Sequence, residues 1–300
     1  MLTVATLAFV ALQFIPGDPA QAAIGGPGSQ ASAEALEAAR AQFGLDRPLL
    51  VQYGDFHWRL LRGDLGVSYA QRVPVIQVLA NAMGPTLALT GFAFVLSWIL
   101  AFLSVFVASG TSRVARSIAS GLDLVAAAMP NFWLASLLVL LFAGVLGWFP
   151  AVSTGDLRGI VLPALALAIP TAGFIAQVCR TGVDDARGAP FIESARARGE
   201  TEAGIRLRHV IRHGVVPGLN LSAWALGTLL SGAAVIEVIF ARPGLGRTLV
   251  DAAIKRDIPV VLGVVLFAAL AYVLVTLLVD LTIARVDPRT ETRIEQASHA

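Results

Sequence analysis

Long apolar runs alternate with short polar segments along this chain of 300 residues. Five runs contain no charged residue and are long enough to cross a bilayer, which takes about 20 apolar residues for about 30 Å of hydrocarbon. Helices buried in a large soluble protein carry charged stripes at helical spacing, and these runs carry none. The pattern therefore predicts an all-α, polytopic membrane bundle. The five runs are Thr86–Ala108, Leu124–Phe149, Ile160–Cys179, Val215–Ile236 and Ile258–Val279.

A shorter apolar run, Met1–Ile15, opens the chain. At 1.5 Å per residue it reaches about 22 Å, less than a full span. A secretory signal is one alternative, since Ala20-Gln21-Ala22 resembles a cleavage site, but the basic region that precedes such signals is missing. We favour a first transmembrane helix over residues 1–16 whose leading residues precede this chain. The prediction is then about six transmembrane helices.

The distribution of basic residues predicts the orientation. The density of arginine and lysine is about twofold higher in segments 110–117, 180–213 and 284–300 than in segments 17–83, 145–160 and 241–258. Because cytoplasmic segments carry the excess of positive charge, both termini are expected in the cytoplasm. This divides the chain into an extracytoplasmic segment 17–83, a transmembrane core 84–283 with a cytoplasmic loop 180–213, and a cytoplasmic tail 284–300.

Composition narrows the class further. Only 14% of the residues are charged, against about 25% in soluble domains. The net charge of +2 is too small to indicate nucleic acid as a partner, and the single cysteine excludes an internal disulfide and any cysteine-rich metal site. The lipid membrane is the expected environment.

The outer segment contains one well-marked helix. Ser32 suits its N-cap, Phe43 is its last residue and Gly44 its stop. Leu36, Ala39 and Phe43 are expected to form its apolar face. A turn is predicted over residues 61–66, where two glycines permit tight backbone. No catalytic set is visible here, so the segment is interpreted as a small folded cap.

The inner segment combines arginine with small residues. Pro190 suits the first position of a short helix and Gly199 the position after its end. Glu193 and Arg196 are three residues apart and can pair. Ala195 and Ala197 are expected to form a low surface that another backbone could approach.

A second helix is predicted from an N-cap at Thr201 to Gly214. On it Arg208 and Arg212 share a face, where like charges repel each other unless an acidic surface lies opposite. The arginines could also contact anionic lipid head groups or only fix the topology. Neither alternative requires a helix-turn-helix, so a protein partner is favoured.

Several kinds of chemistry find no support. The single lysine, Lys255, is not part of a GxxxxGK[ST] loop, so another chain must bind any ATP. His209 and His213 have helical spacing for a metal, but no third ligand is evident. No cofactor, metal or catalytic residue is predicted, and the chain is not expected to be an enzyme.

Asp123 and Asp280 fall near inner span ends, where water is reachable.

Residues that could act as a gate or in a structural role are few. Ionisable groups deep in a span are functional candidates, although Glu237 could simply pair with Arg242. Prolines free backbone groups that neighbouring helices or water must satisfy again. The candidates are Glu237, Pro130 and Pro217.

These features occur in an order that resembles a known family. Glu193-Ser194-Ala195, Gly199, Arg208-His209 and Pro217 resemble the cytoplasmic EAA loop of permease subunits in bacterial ABC importers. The long gap from the glycine to the proline is similar to the dipeptide, oligopeptide and nickel branch. Further landmarks of that branch are Pro16-Gly17-Asp18-Pro19, Gly63-Asp64-Leu65-Gly66, Pro130-Asn131-Phe132-Trp133, Glu237 to Arg247, Asp257-Ile258-Pro259 and Asp287-Pro288-Arg289.

The resemblance implies a permease in the bacterial cytoplasmic membrane that imports di- or oligopeptides or a related small solute by alternating access. It implies four partners: a second homologous permease, two ABC ATPase subunits and an extracytoplasmic substrate-binding protein. The loop would be the coupling helix that docks on the ATPase. Carried over by position, the docking residues would be Glu193, Ser194, Ala195, Arg196, Arg198 and Gly199.

Two departures from the family pattern are visible. Ser194 stands where the motif has its first alanine, and its small side chain should preserve docking. The basic stretch that usually precedes the first span is missing. Two other functions remain as alternatives: import of nickel or a metal–chelator complex by the same kind of permease, and a stand-alone carrier or channel. The buried charged relays and internal repeats typical of carriers are not seen in the predicted spans.

Overall fold

The computed structural model describes residues 2–14, 18–24, 32–110 and 112–286. Within these ranges the chain is helical between short connections and forms no β-strand, which confirms the all-α prediction. The helices are α1 (Leu2–Gln13), α2 (Ala20–Ala23), α3 (Ala33–Phe43), α4 (Leu49–Leu61), α5 (Val75–Ala108), α6 (Arg113–Ala128), α7 (Asn131–Leu138, continued by a π-helix Val139–Val145), α8 (Arg158–Arg187), α9 (Pro190–Ala197), α10 (Glu202–Ile205, continued by a π-helix Arg206–Val210), α11 (Ile211–Asn220), α12 (Ser222–Ile239), α13 (Leu245–Lys255) and α14 (Ile258–Val286).

Four of the described helices are long and apolar enough to cross a membrane: α5, α8, α12 and the part of α14 from Ile258 to Leu277. A fifth candidate is the pair formed by α6 and α7 with its π-helical extension, which is bent by 105°. The helix α1 is apolar but shorter. A multi-pass membrane protein is therefore confirmed. Predictions that involve Ile15, Pro16, Gly17 or residues 287–300, or the side chain of Asp280, lie outside the described residues.

Two of the runs predicted as single spans are not continuous helices. The run Leu124–Phe149 is broken at Met129, which is extended with ψ 127°, and Pro130 follows as the N-cap of α7. Proline disfavours helical backbone at the preceding residue, which explains the break. The run Val215–Ile236 is divided at Leu221 between α11 and α12.

The chain divides into two compact units, of which the first contains residues up to 87 and 241–273. Its helix α3 confirms the predicted capping: the Ser32 hydroxyl accepts the Ala35 N–H at 3.2 Å, and Gly44 adopts φ 65°. Ala39 is buried, with Leu36 and Phe43 packed around it. The helix α4 was not anticipated from the sequence.

The predicted turn in this unit also forms, with Gly63 at φ 75° and Gly66 at φ 82°. The segment after it is held by Asp257, which is 2% exposed. The carboxylate accepts the Tyr69 N–H at 3.0 Å and the Ala70 N–H at 3.2 Å, as well as the Ser68 hydroxyl. Burial raises the pKa of the Tyr69 phenol to about 12.

The second unit contains residues 88–240 and the chain beyond 273. Its larger core brings together α5, α7, α8 and α12 through buried residues such as Leu89, Leu134, Leu167 and Leu229. The helices α6 and α8 meet at Gly173, where an added Cβ would lie 2.8 Å from the Ala127 nitrogen. A second core in this unit leads from α5 and α8 into the basic loop.

Candidate functional site

The basic loop contains α9 with the boundaries predicted from its terminal residues. Ala189 is extended at the N-cap position, Pro190 is the first helical residue, and Gly199 adopts φ 79° just beyond the end. Proline fits the first turn because that position has no intrahelical N–H partner to lose. The sequence therefore sets both ends of this two-turn helix.

One face of α9 is buried against its own chain. Ile192 and Ala195 are 1% and 0% exposed and pack in a core with Val183, Ile205 and Val210. The predicted low surface formed by two alanines is therefore only half right: Ala197 is exposed, whereas Ala195 is covered. An alanine fills this position because the helix lies close to the loop that follows it. The burial fixes which face of α9 remains available to a partner.

The exposed face of α9 carries both signs of charge. Glu193, Ser194, Arg196 and Arg198 are all exposed. Arg196 pairs with Glu202 and not with Glu193, although the spacing allowed the latter pair. Its Nε donates to Glu202 Oε1 at 2.8 Å, and its Nη2 lies 3.4 Å from Oε2. This hydrogen bond lowers the pKa of Glu202 and raises that of Arg196.

A second ion pair holds the turn after α9. Arg198 Nη2 donates to Glu200 Oε1 at 3.0 Å, and His209 Nε2 lies 3.0 Å from the other carboxylate oxygen. Arg198 and His209 together hold the pKa of Glu200 below its usual value. The loop is thus braced by contacts between its two helices and presents a preformed surface.

The second helix of the loop starts as predicted and ends later. The Thr201 hydroxyl accepts the Gly204 N–H at 3.2 Å, which confirms the N-cap. The helix does not end at Gly214 but continues through α11 to Asn220, with Pro217 inside it. Gly214 is buried against α8, where an added Cβ would lie 2.9 Å from the Val183 nitrogen. Close packing, rather than chain reversal, explains this glycine.

Three arginines that sequence reasoning did not single out surround the end of α5. Arg116 Nε donates to the Ala108 carbonyl at 3.3 Å, Arg187 Nη2 to the Ser109 carbonyl at 2.5 Å, and Arg206 Nη2 to the Phe106 carbonyl at 3.1 Å. Cations here satisfy the orphan carbonyls and oppose the negative end of the helix dipole. Their spacing in sequence gave no signal, because they come from three different helices.

A buried ion pair joins α6 to α8. Asp123 is 7% exposed and binds the Arg180 guanidinium, while the Ser104 hydroxyl donates to the same carboxylate at 2.7 Å. The expectation that Asp123 lies in reach of water at a span end is therefore wrong. The sequence did contain a signal for this pair, because Asp123 directly precedes one apolar run and Arg180 directly follows another.

The remaining candidates occupy distinct places. Glu237 is fully buried in α12, Pro130 is the N-cap of α7, and Pro217 lies within α11. His213 contacts the ring of Phe191, with centroids 4.7 Å apart, and His209 faces Glu200.

Comparison with known proteins covers nearly the whole chain. The family described as "Binding-protein-dependent transport system inner membrane component" matches residues 101–292. The N-terminal part of such a membrane component matches residues 1–90.

Relatives and solved structures agree with this match. A peptide transport system permease protein of Brucella abortus is 38% identical over an alignment of 299 residues, which covers 96% of this chain and 94% of the relative. The glutathione transport system permease protein GsiC of Salmonella typhimurium is 34% identical over 291 residues, with the same shares. Structures of an amino acid ABC transporter and of the MetNI methionine ABC transporter match with TM-scores of 0.56 at 18% and 20% identity, covering 70% and 71% of this chain and 94% and 97% of theirs. The structural matches show a shared fold.

Proposed function

Since the chain belongs to the family of binding-protein-dependent transport system inner membrane components, we propose that it is the permease subunit of an ABC importer for di- or oligopeptides or a related small solute. The observation that carries this proposal is the 38% identity to a peptide transport permease over 96% of the chain. That likeness includes both the basic loop and the segment before the long helices.

The loop 190–213 transmits movement between this chain and an ATPase subunit. Four exposed residues form the docking face: Glu193, Ser194, Arg196 and Arg198. Ala195 acts from beneath, since its small side chain lets α9 lie against the core, and Gly199 directs the chain into the second helix. Because the internal ion pairs hold this face in shape, docking needs little reordering.

Transport requires several other chains in this proposal. ATP is hydrolysed in two separate ABC subunits, so this chain is not an enzyme. A second homologous permease completes the pathway, and an extracytoplasmic binding protein delivers the solute. No nucleic acid is involved.

The density of basic residues supports the orientation. The loop 180–213 and the tail 284–300 lie in the cytoplasm, segment 17–83 is extracytoplasmic, and residues 84–283 form the transmembrane core. The first helix, within residues 1–16, completes six crossings of the bacterial cytoplasmic membrane. Within the core, the buried Glu237 and the break at Pro130 are where we place a gate, and Pro217 shapes the helix that leaves the loop.

Uptake in reconstituted vesicles tests the function. The complex with its partner subunits is placed in proteoliposomes, and uptake of labelled dipeptide, oligopeptide and nickel is measured with and without ATP. We expect ATP-dependent uptake of one of the peptides. Nickel uptake alone would establish the metal importer instead, and peptide uptake that persists without ATP would establish a carrier.

Charge exchange tests the coupling face. The double variant Arg196→Glu with Glu202→Arg keeps the internal ion pair but reverses the exposed charge at both positions. We expect it to weaken the affinity of the ATPase subunit for this chain about tenfold, which corresponds to about 1.4 kcal/mol. Glu193→Gln should act in the same direction, and Glu37→Gln, an exposed glutamate on α3, is the control. Normal assembly and uptake in both loop variants would exclude coupling through this face.

A further inference from the structure

The three arginines at the end of α5 form a cationic cluster with little acidic compensation. The charges of Arg116 and Arg206 both repel that of Arg187. Asp184 pairs with Arg187 at 3.3 Å, and three guanidiniums against one carboxylate leave two positive charges in excess. All three side chains are half-buried, so water screens their repulsion less than on an open surface. An anion between them would stabilise the arrangement.

Donors remain for such an anion. A guanidinium carries five N–H donors in a planar fork, and the described contacts occupy only one or two nitrogens of each arginine. Arg206 Nε is buried with no hydrogen-bond partner among the described residues. The Arg206 guanidinium also lies over the Phe106 ring at 4.2 Å, which holds its plane in position. Phosphate oxygens are the acceptors that match this geometry best.

The surroundings point to a lipid rather than to a soluble ion. The cluster lies where α5 and α8, two apolar helices of membrane-spanning length, both end. In the two turns of α5 before it, four large apolar side chains are exposed: Phe102, Leu103, Phe106 and Val107. The rings of Phe102 and Phe106 are stacked with centroids 6.4 Å apart. An acyl chain along this face would place its head group at the arginines.

We propose that Arg116, Arg187 and Arg206 form a binding site for the phosphate of an anionic phospholipid, whose acyl chain lies along the exposed face of α5. The arginines come from α6, α8 and the π-helix of the basic loop. A bound head group would therefore join the loop to the ends of two membrane helices. This site is separate from the docking face of α9, so it does not depend on the transported solute.

Lipid retention tests the proposal. The complex with its partner subunits is purified from nanodiscs of phosphatidylcholine that contain a minority of phosphatidylglycerol, and bound lipids are counted by native mass spectrometry. We expect retained phosphatidylglycerol, and a roughly fivefold weaker retention for Arg116→Gln or Arg206→Gln, since each basic residue near a surface contributes about that factor. Arg212→Gln is the matched control, because Arg212 is exposed on α11 outside the cluster. Its retention should change by less than about twofold.

Further arms separate lipid from other anions and from misfolding. Arg116→Lys keeps the charge but not the planar fork, so it should retain more lipid than Arg116→Gln and less than the unmodified chain, with an unchanged unfolding midpoint. A lysine variant that loses as much lipid as Arg116→Gln would overturn the proposal. Equal retention of phosphatidylcholine would also overturn it. So would a competition in which inorganic phosphate displaces the lipid at the same concentration as glycerol phosphate, the soluble head group of phosphatidylglycerol. A complex in which an acidic side chain of a partner covers the arginines and excludes lipid would overturn it as well.

Discussion

At the scale of single residues, two glycines that flank α9 differ in what they require. Gly199 has φ 79°, in the left-handed region, and an added Cβ would meet nothing within 4 Å. Gly188 has φ −82°, which any residue adopts, and an added Cβ would lie 3.7 Å from the Asp185 carbonyl, an ordinary contact. The two positions therefore separate backbone strain from side-chain crowding.

Gly199→Ala is expected to strain the turn without a clash. Left-handed backbone costs a residue with a Cβ about 1–2 kcal/mol, so the variant should lower the thermal unfolding midpoint and ATP-coupled uptake together. Gly188→Ala, the control, should leave both unchanged. Gly199→Asn should fall between them, because asparagine tolerates this conformation better than alanine. Equal effects at 188 and 199 would contradict a role for the positive φ.

Glu200 makes the loop sensitive to acid. Hydrogen bonds from Arg198 and then His209 hold its pKa below the usual 4.5. A depressed folded pKa means that the stabilisation is present above pH 4.5 and is lost as the pH falls through the lower, folded value. Amide hydrogen exchange in 190–213 should therefore accelerate below pH 4.5 relative to the rest of the chain. In Glu200→Gln this additional acceleration should be smaller, and the remainder belongs to Glu202, whose pKa Arg196 also lowers. An acceleration as large as in the unmodified chain would show that Glu200 contributes nothing.

At the scale of elements, helix ends were predictable and helix continuity was not. The limits of α3 and α9 follow from Ser32, Gly44, Pro190 and Gly199, which act through contacts a few residues away. The break before Pro130 was available in the sequence, but an unbroken apolar run concealed it. Hydropathy indicates whether a segment lies in lipid or in water, but it does not indicate where the backbone bends.

The faces and partners of the elements were even less predictable. Ala195 was expected outside, and it is covered because Ile192 and Ile205 direct that face of α9 inwards. Asp123 and Arg180 are 57 positions apart, and only the packing of α6 on α8 brings them together. Long-range contacts of this kind have no local periodicity. They depend on how the helices pack against each other, and this packing cannot be read from short segments of one sequence.

The approach of α11 to α8 can be tested at Gly214. An alanine there would place its Cβ 2.9 Å from the Val183 nitrogen, and one at Gly182 would place it 2.8 Å from the Gly214 carbonyl. Overpacking of this kind costs about 1–3 kcal/mol. Gly214→Ala should lower the unfolding midpoint of the purified complex, followed by tryptophan fluorescence. Gly121→Ala is the matched control, since that helical glycine has nothing within 4 Å of an added Cβ. A midpoint unchanged at 214 would show that the helices have room to separate.

At the scale of the whole molecule, the orientation can be tested with one reactive group at a time. Cys179 is the only cysteine in the sequence and is 1% exposed, so the unmodified chain should react slowly with a membrane-impermeant maleimide. Ala38 on α3 and Ala197 on α9 are both exposed alanines on helices. Cysteines at these two positions are therefore a matched pair that differs in the predicted side of the membrane.

In intact cells Ala38→Cys should be labelled at once, and Ala197→Cys only after the cytoplasmic membrane is permeabilised. Labelling of Ala197→Cys in intact cells would place α9 outside the cytoplasmic membrane. That result would invert the topology and, with it, the assignment of α9 to an ATPase.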